Sequence, residues 1–482
     1  MSNLKLYSIS LFLTVLTSLL SSCGDDETTD TPCDSCTTFE KTTDPAGNVA
    51  VRVHDYGQGI GTRTLYNDTV YILDNFVFVN NGQTLSIEAG TVIKGESGTG
   101  TNASAMIVAR GGKIMAEGAA GAPIIFTSLI DNVADTLDLQ PNARGLWGGL
   151  ILLGKATIND PSGESAIEGI PTSETRGLYG GTDDSDNSGT LKYISIRHGG
   201  SEIGDGNEIN GLTLGAVGSG TTIDHVEVFA NFDDGFEFFG GAVSCKHLIA
   251  VSCGDDAFDW DQGFHGKIQY LLAIQSNDAA GHCFEGNGVP NDAAYDYNAT
   301  PQAKPYIANG TFVGNYNLDG GDDQLARIRQ GSGGYFYNNI FYNFGQGLKV
   351  DAISAGEPIE SQTRLEQGTL VFKHNLFSKI KDKNTGVDCT DLSGVANESG
   401  SIAALVAQHL GDNANEYASD PGLTDISISA GTGGFNPLLV SGGSSAGLPP
   451  YNDPAIESVS YIGAFGNSNW ASGWTALSVY KY

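Results

Sequence analysis

The chain nearly repeats itself in its middle. Asn231-Phe-Asp-Asp-Gly-Phe-Glu-Phe-Phe-Gly-Gly241 returns as Cys253-Gly-Asp-Asp-Ala-Phe-Asp-Trp-Asp-Gln-Gly263. Asp233 maps to Asp255, Asp234 to Asp256, Phe236 to Phe258 and Glu237 to Asp259, each 22 residues on. The apolar runs at Asp224-His-Val-Glu-Val, Lys246-His-Leu-Ile-Ala and Gln269-Tyr-Leu-Leu-Ala recur with them. A fixed period of this size, made of short β-like runs and turn residues, is the mark of a solenoid. The same register stacks carboxylate on carboxylate.

Other segments fit the same plan. Tyr71-Ile-Leu-Asp-Asn-Phe-Val-Phe-Val leads to Asn81-Gly82, then to Thr84-Leu-Ser-Ile-Glu and Gly90-Thr-Val-Ile-Lys-Gly. Such runs, broken by Asn-Gly or Gly, predict strands and tight turns. Asn309, Asn339 and Asn375 each open a β-like run, and stacked asparagines can bond along a ladder between coils. A short helix is expected from Ile402 to Leu410, with Ser399 or Ser401 at its start and Gly411 at its end. The aromatic-rich stretch from Tyr461 to Trp474 reads as a cap over the open end of the stack.

Lys5 precedes an apolar run from Leu6 to Leu20, too short to span a bilayer. It closes on Leu20-Ser21-Ser22-Cys23, which resembles the lipobox of bacterial lipoproteins and implies acylation of Cys23. Gly24-Asp25-Asp26-Glu27 resembles the surface-export signal of Bacteroidota lipoproteins. The expected organisation is a signal peptide at 1–22, an acidic tether at 23–50, the solenoid at 51–380, and irregular C-terminal coils with the cap at 381–482. Of the seven cysteines, Cys33 and Cys36 suit a local disulfide; one pair among Cys245, Cys253 and Cys283 is a candidate bridge across the stack. An exported chain permits such bonds.

There are 66 glycines in 482 residues, about twice the usual share of ~7%. Against 24 bases stand 56 acids, a formal charge of -32. That charge repels nucleic acid and other polyanions and suits cations or neutral ligands.

The stretches Leu85-Ser-Ile-Glu-Ala-Gly-Thr-Val-Ile-Lys-Gly, Pro123-Ile-Ile-Phe-Thr-Ser, Gly145-Leu-Trp-Gly-Gly and Asp234-Gly-Phe-Glu-Phe-Phe-Gly-Gly, with the Tyr461-to-Trp474 end, resemble the right-handed parallel β-helix (pectin-lyase-like) outer-membrane lipoproteins common in Bacteroidota. The resemblance runs from roughly Tyr71 to Tyr482. It implies an all-β, right-handed parallel β-helix with a short helix and a C-terminal cap. It implies no particular activity.

A second resemblance concerns chemistry. Polygalacturonase-type glycosidases place an Asn-Thr-Asp, an Asp-Asp, a His-Gly and an Arg-Ile-Lys on successive coils. Here Asn231-Phe-Asp233-Asp234, Asp255-Asp256, Gly281-His282-Cys283 and Arg327-Ile328-Arg329 follow in that order. The resemblance implies catalytic roles for Asp234, Asp255 and Asp256 as acid and base. His282 would tune them, and Arg327 and Arg329 would grip a substrate carboxylate. Cysteine after His282 departs from the pattern, as does the long gap to Arg327.

The same acids have two further readings. Asp at a coil corner bonds backbone amides and holds the turn. Alternatively, Asp233, Asp234, Glu237, Asp255, Asp256 and Asp259 bind a divalent cation. Stacked coils put like residues about 4.8 Å apart. Two carboxylates at that distance repel by ~3.5 kcal/mol at an effective dielectric of 20, and hard oxygen ligands suit Ca²⁺. Turn formation is preferred, then Ca²⁺, then catalysis. Asp183-Asp184-Ser-Asp186-Asn187-Ser-Gly189 lacks the closing glutamate of an EF-hand and reads as a turn. His225 and His247 share a coil position between Tyr193 and Tyr270. With no third ligand evident, an aromatic stack is preferred to a metal pair. Phe238, Trp260 and Phe264 are candidates for an outward sugar platform. The function expected is a lipid-anchored, cell-surface β-helix on the outer membrane that binds a glycan, with a polysaccharide-cleaving enzyme or a structural surface protein as rivals. Outer-membrane lipid and a neighbouring outer-membrane transporter are the expected partners; nucleic acid is not.

Overall fold

The computed structural model describes residues 37–204, 207–290, 296–316, 323–353, 359–383, 385–423 and 448–479. Cys23 and the Cys33–Cys36 pair lie outside them. Among the described residues, strands gather mainly into two long sheets. Sheet A has 18 strands and sheet B has nine. Every pairing in sheet B is parallel, from Phe76–Val79 through Phe236–Phe239 and Phe258–Asp261 to Gln346–Val350. This is the parallel β-helix solenoid that the 22-residue period predicts. Glu237 pairs with Asp259 and Phe236 with Phe258, so the repeat is in register strand for strand.

Sheet A folds at a left-handed residue repeated coil after coil. Strands Gly189–Arg197, Thr222–Phe229, Ser244–Val251 and Lys267–Ile274 pass through Tyr193, His225, His247 and Tyr270, with φ of 51°, 58°, 54° and 67°. The ladder skips these four, so Lys192, Asp224 and Lys246 pair before the bend and Ile194, Val226 and Leu248 after it. Alternate strand residues fill the bore. Phe236, Phe258 and Phe284 stack through it at 5.3 and 5.6 Å, each pair worth roughly 0.5–1.5 kcal/mol beyond its buried area.

Several expectations need correction. Part of the stretch read as tether forms strands. Thr38–Thr43 pairs antiparallel with Val49–His54, which pairs parallel with Val70–Asp74. Phe39 and Val51 pack on the core, and the buried Lys94 ammonium reaches Asp44 at 2.8 Å and the Asp131 carbonyl at 2.7 Å. The stack also continues past residue 380, because Leu376–Ser378 pairs with Glu416–Tyr417. A helix falls where one was expected, but runs from Ser401 to Asp412. Gly400 is its N-cap with no side-chain bond, and it ends at Asn413. Its buried Ile402, Val406 and Leu410 join the main core. A second helix, Ser361–Glu366, was not foreseen; Glu360 and Thr363 form its capping box.

The C-terminal aromatic segment does not sit over an end of the stack. It lies along the outer side of sheet A. Phe465, Ala471, Trp474 and Leu477 cover Phe229, Ile249, Val251 and Leu272. Those strand positions face outward yet are apolar, so burying them drives the strap to the flank rather than the end. The asparagine ladder runs through Asn339, Asn375 and Asn415, with amide-to-amide bonds of 3.0 Å. Asn309 is one residue out of register, since the Asn339 Oδ1 accepts from the Gly310 amide. Cys245, Cys253, Cys283 and Cys389 are buried and free, so among the described residues no bridge crosses the stack. Cys245 pairs with Ile223 and Ile268, at a different coil position from Cys253.

Candidate functional site: the charged face of sheet B

Outward residues of sheet B change character along the stack. One lateral row reads Ile151, Thr213, Glu237, Asp259, Glu285, Arg327, Lys349. At its apolar end the row is covered. Ile158, Ile167, Ile170 and Tyr179, from the long excursion after Leu153, pack on Ile107, Ile151, Leu153 and Phe239. Where that cover stops, the carboxylates begin.

Two corner turns feed this face. Asp234 Oδ1 accepts the Asp256 amide at 2.8 Å, and Asp256 Oδ1 accepts the His282 amide of the next coil. These two aspartates therefore hold turns. Asp256 Oδ1 also lies 3.0 Å from His282 Nδ1, with Glu285 3.6 Å from the same nitrogen. Asp255 and Asp256 close over Gly281, where a Cβ would stand 2.0 and 2.5 Å from their oxygens. Only glycine leaves room there.

Three sets of ligating atoms each lie within 4.8 Å of one another: Asp233, Asp234 and Asp255; Asp234, Glu237 and Asp259; and Asp256, His282 and Glu285. The first two share Asp234. All six residues of the expected Ca²⁺ set thus fall on this face, Asp256 in the histidine-containing set. Glu168, absent from the sequence reading, joins them. Asn210 donates to Glu168 at 2.9 Å and also to Glu237. Glu168 comes from the covering excursion and lies 69 residues before Glu237, so no local spacing pointed to it. Asp259 Oδ1 is buried and has no hydrogen-bond partner, although the residue is only 8% exposed.

Such crowding out of water favours protons on the acids. Burial, then the charges of Glu168 and Asp255, pushes Asp233 up to about 8. Burial pushes Asp261 up to about 7 against the Gln262 amide. Asp234, Glu237 and Asp259 rise well above the carboxylate range, first through burial and then through one another's charge and that of Asp233, Glu168 and Glu285. Burial pulls His282 down, but Asp256 and Glu285 outweigh it and leave it raised. A hard cation with oxygen ligands would relieve the same repulsion without protons, so the donor set fits Ca²⁺.

Both arginines are engaged in ion pairs within the protein. Arg329 pairs with Glu285 and donates to Asn287 at 2.6 Å. Arg327 pairs with Asp351 at 3.2 Å and stands 3.9 Å from Glu285. Within each set the carboxylates also crowd more closely than the ~6.5–9.5 Å separation that admits a water in inverting hydrolysis.

The expected sugar platform is overturned. Phe238 and Phe264 are 0% exposed and Trp260 is 1% exposed. Phe238 stacks on Phe264 at 4.4 Å inside the bore, and Trp260 Nε1 donates to Ser332. Strand alternation sends Phe236 and Phe238 inward and Glu237 outward. Phe232, 51% exposed at the corner beside Asp233, is the aromatic that does reach solvent there. The loop at 183–189 is a turn: Asp183 accepts from Ser185, Asp184 from the Thr157 amide, Asp186 from the Lys155 amide and Asn187 from the Gly189 amide.

Parallel coils carrying a polar outward face define a β-helix of the kind that pectate lyases display. Residues 58–421 match the family described as pectate-lyase like beta helix domain, and the chain belongs to it. No curated protein and no solved structure matches the chain. No helix among the described residues is long and apolar enough to cross a membrane.

Proposed function

We propose that this protein binds a glycan at the cell surface through a divalent cation, Ca²⁺, held on the charged face of sheet B. The observation that carries the reading is the Asp234, Glu237 and Asp259 set, together with the buried, unpartnered oxygen of Asp259. An orphaned buried acceptor costs roughly 1–3 kcal/mol. A cation repays that cost and leaves coordination positions for sugar hydroxyls. The family's polysaccharide-related fold supports the ligand class by analogy. The -32 charge favours a neutral glycan over a polyuronate. Lipidation of Cys23 would tether the β-helix to the outer membrane, beside a transporter that takes up what it captures.

The test is a glycan array probed with purified protein in Ca²⁺ and in chelator. Binding that needs Ca²⁺ and vanishes in Asp234→Asn with Asp259→Asn supports the proposal. Chelator-insensitive binding, or none, refutes it.

A second reading rests on the Asp256, His282 and Glu285 contacts, which suit acid–base chemistry. Release of reducing ends from a polysaccharide panel, lost in His282→Ala, would favour cleavage over capture.

A further inference from the structure

His225 and His247 stack at 4.1 Å, between Tyr193 at 4.4 Å and Tyr270 at 4.8 Å. The stack is the one that the sequence favours, but it is not only a stack. His225 Nδ1 lies 2.8 Å from Asp224 Oδ1, and His247 Nδ1 lies 2.7 Å from the same oxygen. Two imidazole nitrogens on successive coils are thus aimed at one point, and a carboxylate is already there. The missing third ligand is Asp224, the residue just before His225.

We infer that Asp224, His225 and His247 form a binding site for a borderline-soft divalent transition metal, Zn²⁺ or its neighbours Ni²⁺ and Cu²⁺. The three donor atoms lie within 4.8 Å of one another. Zn²⁺ takes tetrahedral ligands at about 2.0–2.2 Å, which sets neighbouring donors ~3.4 Å apart, so the two rings must draw back slightly from the Asp224 oxygen as the ion enters. Mixed imidazole and carboxylate donors select these metals, whereas the all-oxygen sets on sheet B select Ca²⁺. Each neutral ring moves its proton from Nδ1 to Nε2 when Nδ1 takes the metal, and no proton need leave the protein. The fold supplies the alignment. Both histidines occupy the left-handed corner of sheet A, so the solenoid repeats the ring direction from coil to coil.

Asp224 also lines a cleft of about 440 Å³, together with Lys246, Gln269 and Glu457. Lys246 would oppose a cation there, but its ammonium is drawn into an ion pair with Glu457. Lys192 stands on the other side, 6.0 Å from the Tyr193 ring. The strap closes the remaining flank. Trp470 lies 4.9 Å from His247 and 5.9 Å from His225, and Trp474 lies 5.8 Å from His225. The site therefore sits at the seam between strap and sheet, with two indoles as built-in reporters.

The experiment uses the mature chain without a histidine tag, stripped with chelator and dialysed free of it. Zn²⁺ is titrated by calorimetry at pH 7.5, and Ni²⁺ and Cu²⁺ are titrated against tryptophan fluorescence. The expected result is one Zn²⁺ per chain and quenching that saturates at one Ni²⁺ or Cu²⁺. Asp224→Asn and His247→Gln should each weaken Zn²⁺ by at least ~100-fold, more than the loss of an outer-shell partner. The Ca²⁺ response of sheet B should persist in both. His247→Gln keeps the test valid if Asp224→Asn does not fold, because its side chain is 21% exposed. Wild-type protein that shows no quenching, or variants that keep wild-type Zn²⁺ affinity, would overturn the assignment and leave Asp224 as an anchor for the two rings.

Discussion

Stripped of divalent cation, this protein should lose stability as the pH rises from 5 to 7. Asp233 and Asp261 carry the argument. Their folded values are about 8 and about 7, both raised from 3.8. Between those limits the folded chain holds protons that the unfolded chain has released. A raised acid contributes its stability below the unfolded value and loses it as pH climbs through the folded value. Each proton so held gives a slope of 1.36 kcal/mol per pH unit. These two groups alone give about 2.7 kcal/mol per unit between pH 5 and 6.5, and Asp234, Glu237 and Asp259, which are raised further, add to it. For a chain of 482 residues the unfolding entropy is about 1 kcal/mol per kelvin, so the melting temperature should fall by at least ~3 °C per pH unit. Scanning calorimetry in chelator at half-unit steps reads this directly. Asp261→Asn keeps the acceptor for the Gln262 amide and removes one titration, so it should lower the slope by about 1.36 kcal/mol per pH unit. Saturating Ca²⁺ should reduce it, since the cation replaces the protons on Asp233 and the other ligands, while Asp261, outside the ligand sets, keeps its share. A melting temperature that stays level from pH 5 to pH 7.5 in chelator would refute the reasoning, because acids with ordinary pKa values give no slope there.

Ca²⁺ at 100 times its dissociation constant should stabilise the protein by about 2.7 kcal/mol, and Asp234→Asn with Asp259→Asn should abolish the rise in melting temperature that calorimetry records. Trp260→Ala should cost about 3–5 kcal/mol in denaturant unfolding yet leave glycan affinity unchanged, which separates a bore residue from a platform. Glu227 is fully buried and accepts the Ala476 and Leu477 amides at 2.7 and 3.0 Å; Glu227→Ala should free the strap and expose Trp474 to acrylamide quenching. Cys23→Ala should end palmitate labelling and release the protein from the membrane fraction; unchanged labelling would dismiss the anchor.

The solenoid was legible because its evidence is local and repeated. Asp233 to Asp255 and Phe236 to Phe258 needed only counting, and the sheet B register repeats the count. Elements whose cause lies in distant partners were harder to read. The hairpin at Thr38–Thr43 exists because Phe39 finds the core. Its sequence, rich in Thr and charge, resembles the tether before it. The strap was recognised as aromatic and misplaced, since an outward apolar row such as Ile249 and Val251 looks like any buried strand until its neighbours are known. Sequence alone does not tell a strand buried on both faces from one buried on a single face.

On this face the acids singled out from the sequence lie together, but the aromatic rings singled out with them do not face solvent. Carboxylates that recur at the coil period must lie side by side, whichever way the strand is phased. Rings do not follow so simply, because a shift of one residue turns each from bore to solvent. Phe236-Glu237-Phe238-Phe239 is consistent with either phase until Glu237 is placed. Burying Glu237 in the bore among Phe rings would cost far more than exposing one Phe, so the acids fix the phase and Phe238 goes inside. Applied to Phe258-Asp259-Trp260-Asp261, the same argument sends Trp260 inside and both aspartates out. The charged face is thus the reason the aromatic platform is absent there. Whatever meets this face meets oxygen atoms before rings, so the proposed glycan capture should depend on a cation rather than on ring stacking.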